Sequence, residues 1–115
     1  MIIVTRHPAA IQFVARELGL RVIERDGQIL GLAPQSDDYP IDQILIVLDQ
    51  ATPDDVRGRV VYGNLPLHLA ALANKVVVIE FTGSPPRGRE YTLADMDAAG
   101  AVLRDYKVAI APKEH

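Results

Sequence analysis

The apolar residues of this chain fall into short β-branched runs separated by stretches of helical spacing. Ile2 to Thr5 is one such run, ended at once by Arg6, His7 and Pro8, and it predicts a strand buried on both faces. From Pro8 the apolar Ile11, Val14, Ala15 and Leu18 recur at helical spacing, with proline suited to a first helical position and Gly19 to the residue after the last turn. The opening unit therefore reads as strand, polar corner, helix.

Leu20 to Glu24 and Gln28 to Leu32 flank Asp26-Gly27, a pair that accepts the positive φ angles of a tight hairpin turn. Ala33 to Asp42, with two prolines and three aspartates, reads as a surface loop, and a strand resumes over Ile44 to Leu48. After a turn rich in charge at Ala51 to Gly58, Val60 to Tyr62 form a short strand that breaks at Gly63-Asn64. Leu65, Leu69, Leu72 and Ala73 then predict a helix beginning at that break. Val76 to Phe81 is the most hydrophobic run and suits the centre of a parallel sheet. Thr82 to Tyr91 is a loop, and Thr92-Leu93-Ala94-Asp95 resembles a capping box. It opens a helix with Met96, Ala99, Leu103 and Tyr106 on one face. Val108 to Ala111 is expected as an edge strand. Alternating strands and helices predict an α/β fold with a mostly parallel central sheet flanked by helices, and ligands in such folds sit at the carboxyl ends of the strands.

Length and composition narrow the functional classes. A chain of 115 residues and 12.6 kDa, 49% hydrophobic, fits one domain over residues 1–115 with a core of its own. A formal charge of −3 gives a field that disfavours duplex nucleic acid, so a phosphate ligand has to be held locally. The absence of cysteine excludes disulfides, zinc–thiolate sites and thiol catalysis. No basic leader or bilayer-length apolar run precedes Arg6, which predicts a cytoplasmic protein without a membrane partner.

Two corners carry the candidate chemistry. Thr5-Arg6-His7-Pro8 and Gly63-Asn64-Leu65-Pro66 each place polar groups where a helix is expected to offer unpaired N–H donors. Arginine grips phosphate through two donors, and a neighbouring histidine exchanges a proton near neutral pH. Gly63 lets backbone approach a ligand, and Asn64 caps a helix or bonds a hydroxyl. Arg87-Gly88-Arg89 is a third group, in a loop after the central strand; the chain uses nine arginines against three lysines, a bias toward phosphate recognition. His68 reads as a packed or surface residue, and Asp37, Asp38 and Asp42 as a solvated loop. The three histidines lack metal-ligand spacing, so no metal and no cofactor is expected.

Three segments, Ile3-Val4-Thr5-Arg6-His7-Pro8, Gly63-Asn64-Leu65-Pro66-Leu67-His68-Leu69-Ala70 and Arg87-Gly88-Arg89-Glu90-Tyr91-Thr92, occur in an order that resembles a small CRISPR-associated accessory family. Its members are the Rossmann-like ring nucleases of type III CRISPR systems. Ala9, Phe13 and Asn64 depart from that family's usual glycine, tryptophan and threonine. The resemblance implies a single Rossmann-like domain acting as a homodimer on a cyclic oligoadenylate, cyclic tetra-adenylate above all. It implies cleavage by a ribose 2′-hydroxyl without metal, which switches off type III CRISPR signalling. The catalytic residues would be His7, Arg6 and Arg89, with Thr5, Pro8, Gly63, Asn64, Leu65, Arg87 and Gly88 binding the ligand. Two other readings use the same donors. One is a non-catalytic cyclic oligoadenylate-binding protein, a sponge or sensor. The other is a phosphohydrolase resembling histidine phosphatases, whose corner has glycine where this chain has Pro8.

Overall fold

The computed structural model describes residues 1–36, 44–85 and 91–113. In chain order the elements are β1 (Ile2–Val4), α1 (Pro8–Leu18), β2 (Arg21–Arg25), β3 (Gln28–Ala33), β4 (Leu45–Leu48), α2 (Pro53–Val56), β5 (Val60–Tyr62), α3 (Leu67–Ala70), β6 (Lys75–Phe81), α4 (Leu93–Ala98) and β7 (Ala101–Tyr106). All the described strands form one sheet in the order β2-β3-β4-β1-β5-β6-β7.

This sheet is mixed, which corrects the Rossmann-like expectation of a mostly parallel sheet flanked by helices. Only β4, β1, β5 and β6 run parallel, and their ladders are short. The longest ladders, β2 with β3 and β6 with β7, are antiparallel, and β3 meets β4 antiparallel as well. The helices are minor beside the sheet: α1 has 11 residues, whereas α2 and α3 have 4 each. Local hydrophobic pattern marks a buried strand but does not fix its direction, which depends on how the chain returns.

Two of those returns differ from the sequence reading. Met96, Ala99, Leu103 and Tyr106 do not share a helix, because α4 stops at Ala98. Gly100 turns the chain with φ 72°, and β7 pairs back on β6 with Leu103 opposite Ile79. A seven-residue β6 offers a free edge that tertiary pairing fills, and this outweighs the local helical spacing. That leaves no strand over Val108 to Ala111. At the other corner, α3 is confined to Leu67–Ala70 with Pro66 as its N-cap, so no helix starts at Asn64.

Elsewhere sequence and structure agree. Asp26 and Gly27, with φ of 54° and 77°, make the hairpin turn between β2 and β3. Helix α1 begins at Pro8 and closes at Gly19, where the Gly19 N–H donates to the Arg16 carbonyl (3.2 Å) and the Leu20 N–H to that of Ala15 (2.8 Å). Leu18 stays at the surface. Thr92 and Asp95 form the expected capping box at α4; a second one, Thr52 with Asp55, opens α2 inside the stretch read as a turn.

The sheet has apolar residues on both faces. On one, Ile3, Leu32, Leu45, Tyr62 and Val77 pack with Ile11, Val14 and Ala15 of α1. On the other, Ile2, Val61 and Val76 pack with Val56 of α2 and with Leu69 and Ala70 of α3. A third cluster joins Ala9 and Phe13 of α1 to Met96 of α4. Burying side chains of this size stabilises by about 1.5–3 kcal/mol each. The α1 side of the sheet is thereby fixed at two levels, by the sheet beneath α1 and by α4 beside it.

Candidate functional site

Parallel β1, β4 and β5 all end at the same rim of the sheet. Val4 lies opposite Leu48, and Ile3 opposite Tyr62, so the residues that follow leave the sheet side by side. Between this rim, the first turn of α1 and the start of α4 lies a cleft of about 380 Å³. Thr5, Arg6 and His7 line it from the first corner, Gly63 and Asn64 from the second, and Asp49 from the end of β4. Its floor and far wall are largely apolar, with Ile79 and Phe81 of β6, Met96 of α4, Tyr62 of β5 and Tyr91.

Local hydrogen bonds set the first corner. The Thr5 N–H donates to the Leu48 carbonyl (3.0 Å), extending the β1–β4 ladder one residue beyond the strand. The His7 N–H donates to Thr5 Oγ1 (3.2 Å), and the His7 carbonyl accepts from Ala10 (3.1 Å) and Ile11 (3.4 Å). Thr5 is thus a turn-forming residue whose oxygen is engaged by backbone. His7 occupies the N-cap position of α1 with no side-chain cap, and the first turn contains no acidic residue, so the helix itself supplies no counter-charge to the positive end of its dipole. The Arg6 guanidinium forms no ion pair or hydrogen bond with another described residue. An exposed cation that no other described residue pairs, at a helix start, is chemically suited to an anion from outside.

The second corner is built differently from the sequence expectation. Gly63 has φ 132°, and a Cβ at this position would lie 2.2 Å from the Val4 carbonyl oxygen. Glycine is therefore required so that β5 can leave alongside the end of β1, and its tight neighbour is this chain's own backbone. Asn64 is exposed at the cleft and caps no helix, since Pro66 is the N-cap of α3. Leu65 packs into the apolar cluster on the opposite face, and Pro8 supplies the first helical residue of α1; neither lines the cleft. Arg87, Gly88 and Arg89 lie outside the described residues, as do Asp37, Asp38, Asp42 and His115. His68 sits exposed on α3 and does not line the cleft.

Besides aliphatic wall residues, the sequence reading missed one carboxylate and three aromatic rings of the lining: Asp49, Tyr62, Phe81 and Tyr91. Asp49 directly follows an apolar run, as Arg6 does, and the rule that ligands collect at the carboxyl ends of strands would have found it. The aromatic rings carried no such signal, because a tyrosine in a strand reads as core. Tyr62 is 9% exposed, and burial raises its hydroxyl above the ordinary tyrosine range, keeping it protonated. Phe81 and Tyr91 meet edge to face, with centroids 5.6 Å apart and planes at 72°. In the sequence these two rings bracket the segment carrying Arg87 and Arg89.

A cation, an imidazole, a carboxylate and an amide around an aromatic floor can hold a nucleotide: apolar surface for a base, donors for a phosphate, acceptors for a ribose. No helix among the described residues is long and apolar enough to cross a membrane. Neither the curated proteins nor the solved structures contain a match to this chain. A family model described as "Putative CRISPR-associated protein (Cas_VVA1548)" matches residues 2–109, a span that includes every residue lining the cleft. The chain belongs to that family of CRISPR-associated proteins.

Proposed function

We propose that the protein is a ring nuclease of a type III CRISPR system, which binds a cyclic oligoadenylate in this cleft and opens it. The observation that carries this reading is the meeting of Arg6 and His7 with Asn64, distant in sequence, on one cleft floored by aromatic rings. Membership of a CRISPR-associated family supports the choice of nucleotide. At about 380 Å³ the cleft lies near the small end of ligand pockets, roughly 300–1,000 Å³, and matches one nucleotide unit more closely than a whole ring. A homodimer answers this mismatch: a ring of four has two-fold symmetry, and two copies of the cleft facing each other across an isologous interface would share it.

The chemistry asks little of the protein, because an RNA linkage contains its own nucleophile. The ribose 2′-oxygen attacks the adjacent phosphorus and the 5′-oxygen leaves, giving a linear product ending in a 2′,3′-cyclic phosphate. The enzyme must hold the oxygen in line, neutralise charge and move protons. Arg6 and the start of α1 neutralise the phosphate, Asn64 fixes the sugar–phosphate backbone, and His7 protonates the leaving oxygen. The resemblance adds Arg87 and Arg89 to the phosphate contacts.

The test is incubation of excess protein with radiolabelled cyclic oligoadenylates of several sizes, with and without a chelator. Linear adenylate with a 2′,3′-cyclic end, formed equally in both arms and abolished by His7→Ala, is the expected result. Intact ring recovered after long incubation, with the ring bound, would replace cleavage by sequestration.

A further inference from the structure

Asp49 is an odd residue to find where a phosphate is to be held. It lines the cleft with Arg6 and His7, and its carboxylate makes no ion pair or hydrogen bond with another described residue. A bare carboxylate repels a bound phosphodiester, so a site that only gripped phosphate would be better without it. What such a group does favour is a hydroxyl that donates to it. The ribose 2′-hydroxyl lies one carbon from the phosphate-bearing 3′ position, so a ligand whose phosphate reaches Arg6 presents that hydroxyl close by.

The backbone places Asp49 for this contact. β4 and β1 are parallel with Leu48 opposite Val4, and the Thr5 N–H bonds the Leu48 carbonyl at 3.0 Å. Asp49 therefore leaves the sheet beside Thr5 and lines the same cleft as His7. Among the described residues, the titratable and charged groups that share the cleft with it are Arg6 and His7 from the β1–α1 corner, Tyr62 from β5 and Tyr91 ahead of α4.

We propose that Asp49 is the second acid–base group of the site, accepting the 2′-hydroxyl proton while His7 serves the leaving oxygen; this rests on the cyclic oligoadenylate reading. In the step, the 2′ O–H bond breaks and its proton passes to the Asp49 carboxylate. The O2′–P bond forms as the P–O5′ bond breaks, and O5′ takes a proton from the His7 imidazolium. The products are a 2′,3′-cyclic phosphate and a 5′-hydroxyl. Water then returns a proton to His7 and removes one from Asp49, restoring the site. Two groups in opposite protonation states on either side of a phosphodiester are the arrangement that general acid–base catalysis needs.

The test is Asp49→Asn, which keeps the size and a hydrogen-bond acceptor but cannot take the proton. Single-turnover cleavage should fall about 10²- to 10⁴-fold, the usual contribution of a positioned acid or base. Binding of the uncleaved ring should stay within about threefold, as expected when only the transition state loses a contact. The decline of kcat/KM on the acid side of the wild-type pH profile should disappear in Asp49→Asn, and Asp49→Glu should recover part of the rate. If Asp49→Asn cleaves as fast as wild type with an unchanged acid side, the assignment of Asp49 is wrong while the ring reading stands. A wild-type protein that neither binds nor opens any cyclic oligoadenylate overturns both.

Discussion

Arg16 of α1 holds Asp97 of α4 through two parallel hydrogen bonds, Nη1 to Oδ2 at 2.8 Å and Nη2 to Oδ1 at 2.6 Å. The same guanidinium lies over the Phe13 ring, 5.4 Å from its centroid. This clamp spans the seam where Phe13 and Met96 pack together, and Met96 is also a wall of the cleft. It ties the helix that presents the cationic corner to the helix that follows Tyr91.

The clamp predicts an acid-side loss of stability. Hydrogen bonds from Arg16 hold the Asp97 carboxyl below its usual range, with desolvation opposing and Coulomb attraction assisting. A carboxyl depressed on folding contributes stability above its unfolded pKa, about 3.9, and loses it as pH falls through the lower folded value. Asp97→Asn should therefore melt below wild type by a constant margin from pH 5 to 8. The two melting curves should converge in more acid solution. Both side chains are substantially exposed, so the margin should also shrink in high salt.

Gly63→Ala should be among the most damaging single-methyl additions in the chain. Its φ of 132° is a region that side-chain-bearing residues rarely adopt, and the new Cβ would meet the Val4 carbonyl oxygen at 2.2 Å. Backbone strain of roughly 1–3 kcal/mol and overpacking of roughly 1–3 kcal/mol combine to about 2–6 kcal/mol. Urea unfolding with an unchanged slope would measure it. A loss under about 1 kcal/mol would mean that β1 and β5 can separate without cost.

How far the sequence carried the fold depended on how local each signal was. Pro8 and Gly19 bound a helix whose ends are set by residues within a turn of them, and Asp26-Gly27 fixed a hairpin for the same reason. The segment from Met96 to Tyr106 has spacing that fits a helix, but its second half is claimed by the edge of β6, which no window of that length contains. The candidate site divided the same way. Arg6, His7 and Asn64 stood out because polar residues ended apolar runs. Tyr62 and Phe81 sit inside such runs and become cleft residues only when the sheet brings their faces together. Gly63 ends such a run too, but the constraint that the structure shows on it, the Val4 carbonyl, comes from a strand neighbour that no local window contains.

Arg6→Ala should weaken binding of the intact ring more than any change at Asn64. A hydrogen bond to a charged partner contributes about 1.5–3 kcal/mol, which corresponds to roughly tenfold to hundredfold in Kd, whereas a neutral amide contributes about 0.5–1.5 kcal/mol. Arg6 is exposed and engages no other described residue, so its removal orphans no partner among the described residues and should leave melting temperature unchanged. Calorimetry at rising salt would show the gap between wild type and Arg6→Ala closing, as an exposed charge contact requires. A gap independent of salt would place the phosphate elsewhere.

Tyr91→Ala separates the base from the phosphate. The ring is 37% exposed and lines the cleft, and its T-shaped contact with Phe81 steadies it, so part of its surface is available to a planar ligand. Stacking of a base on an aromatic side chain is worth about 1–3 kcal/mol, so the alanine variant should bind the ring roughly fivefold to hundredfold more weakly. Tyr91→Phe keeps the face and should bind within about twofold, because every base has a π-face and the hydroxyl is not needed for stacking. The loss on Tyr91→Ala should persist in high salt, in contrast to that on Arg6→Ala, since dispersion and desolvation are not screened by ions. Equal salt sensitivity in the two variants would show that Tyr91 acts by steadying a charged neighbour, and the aromatic floor would then have no part in holding adenine.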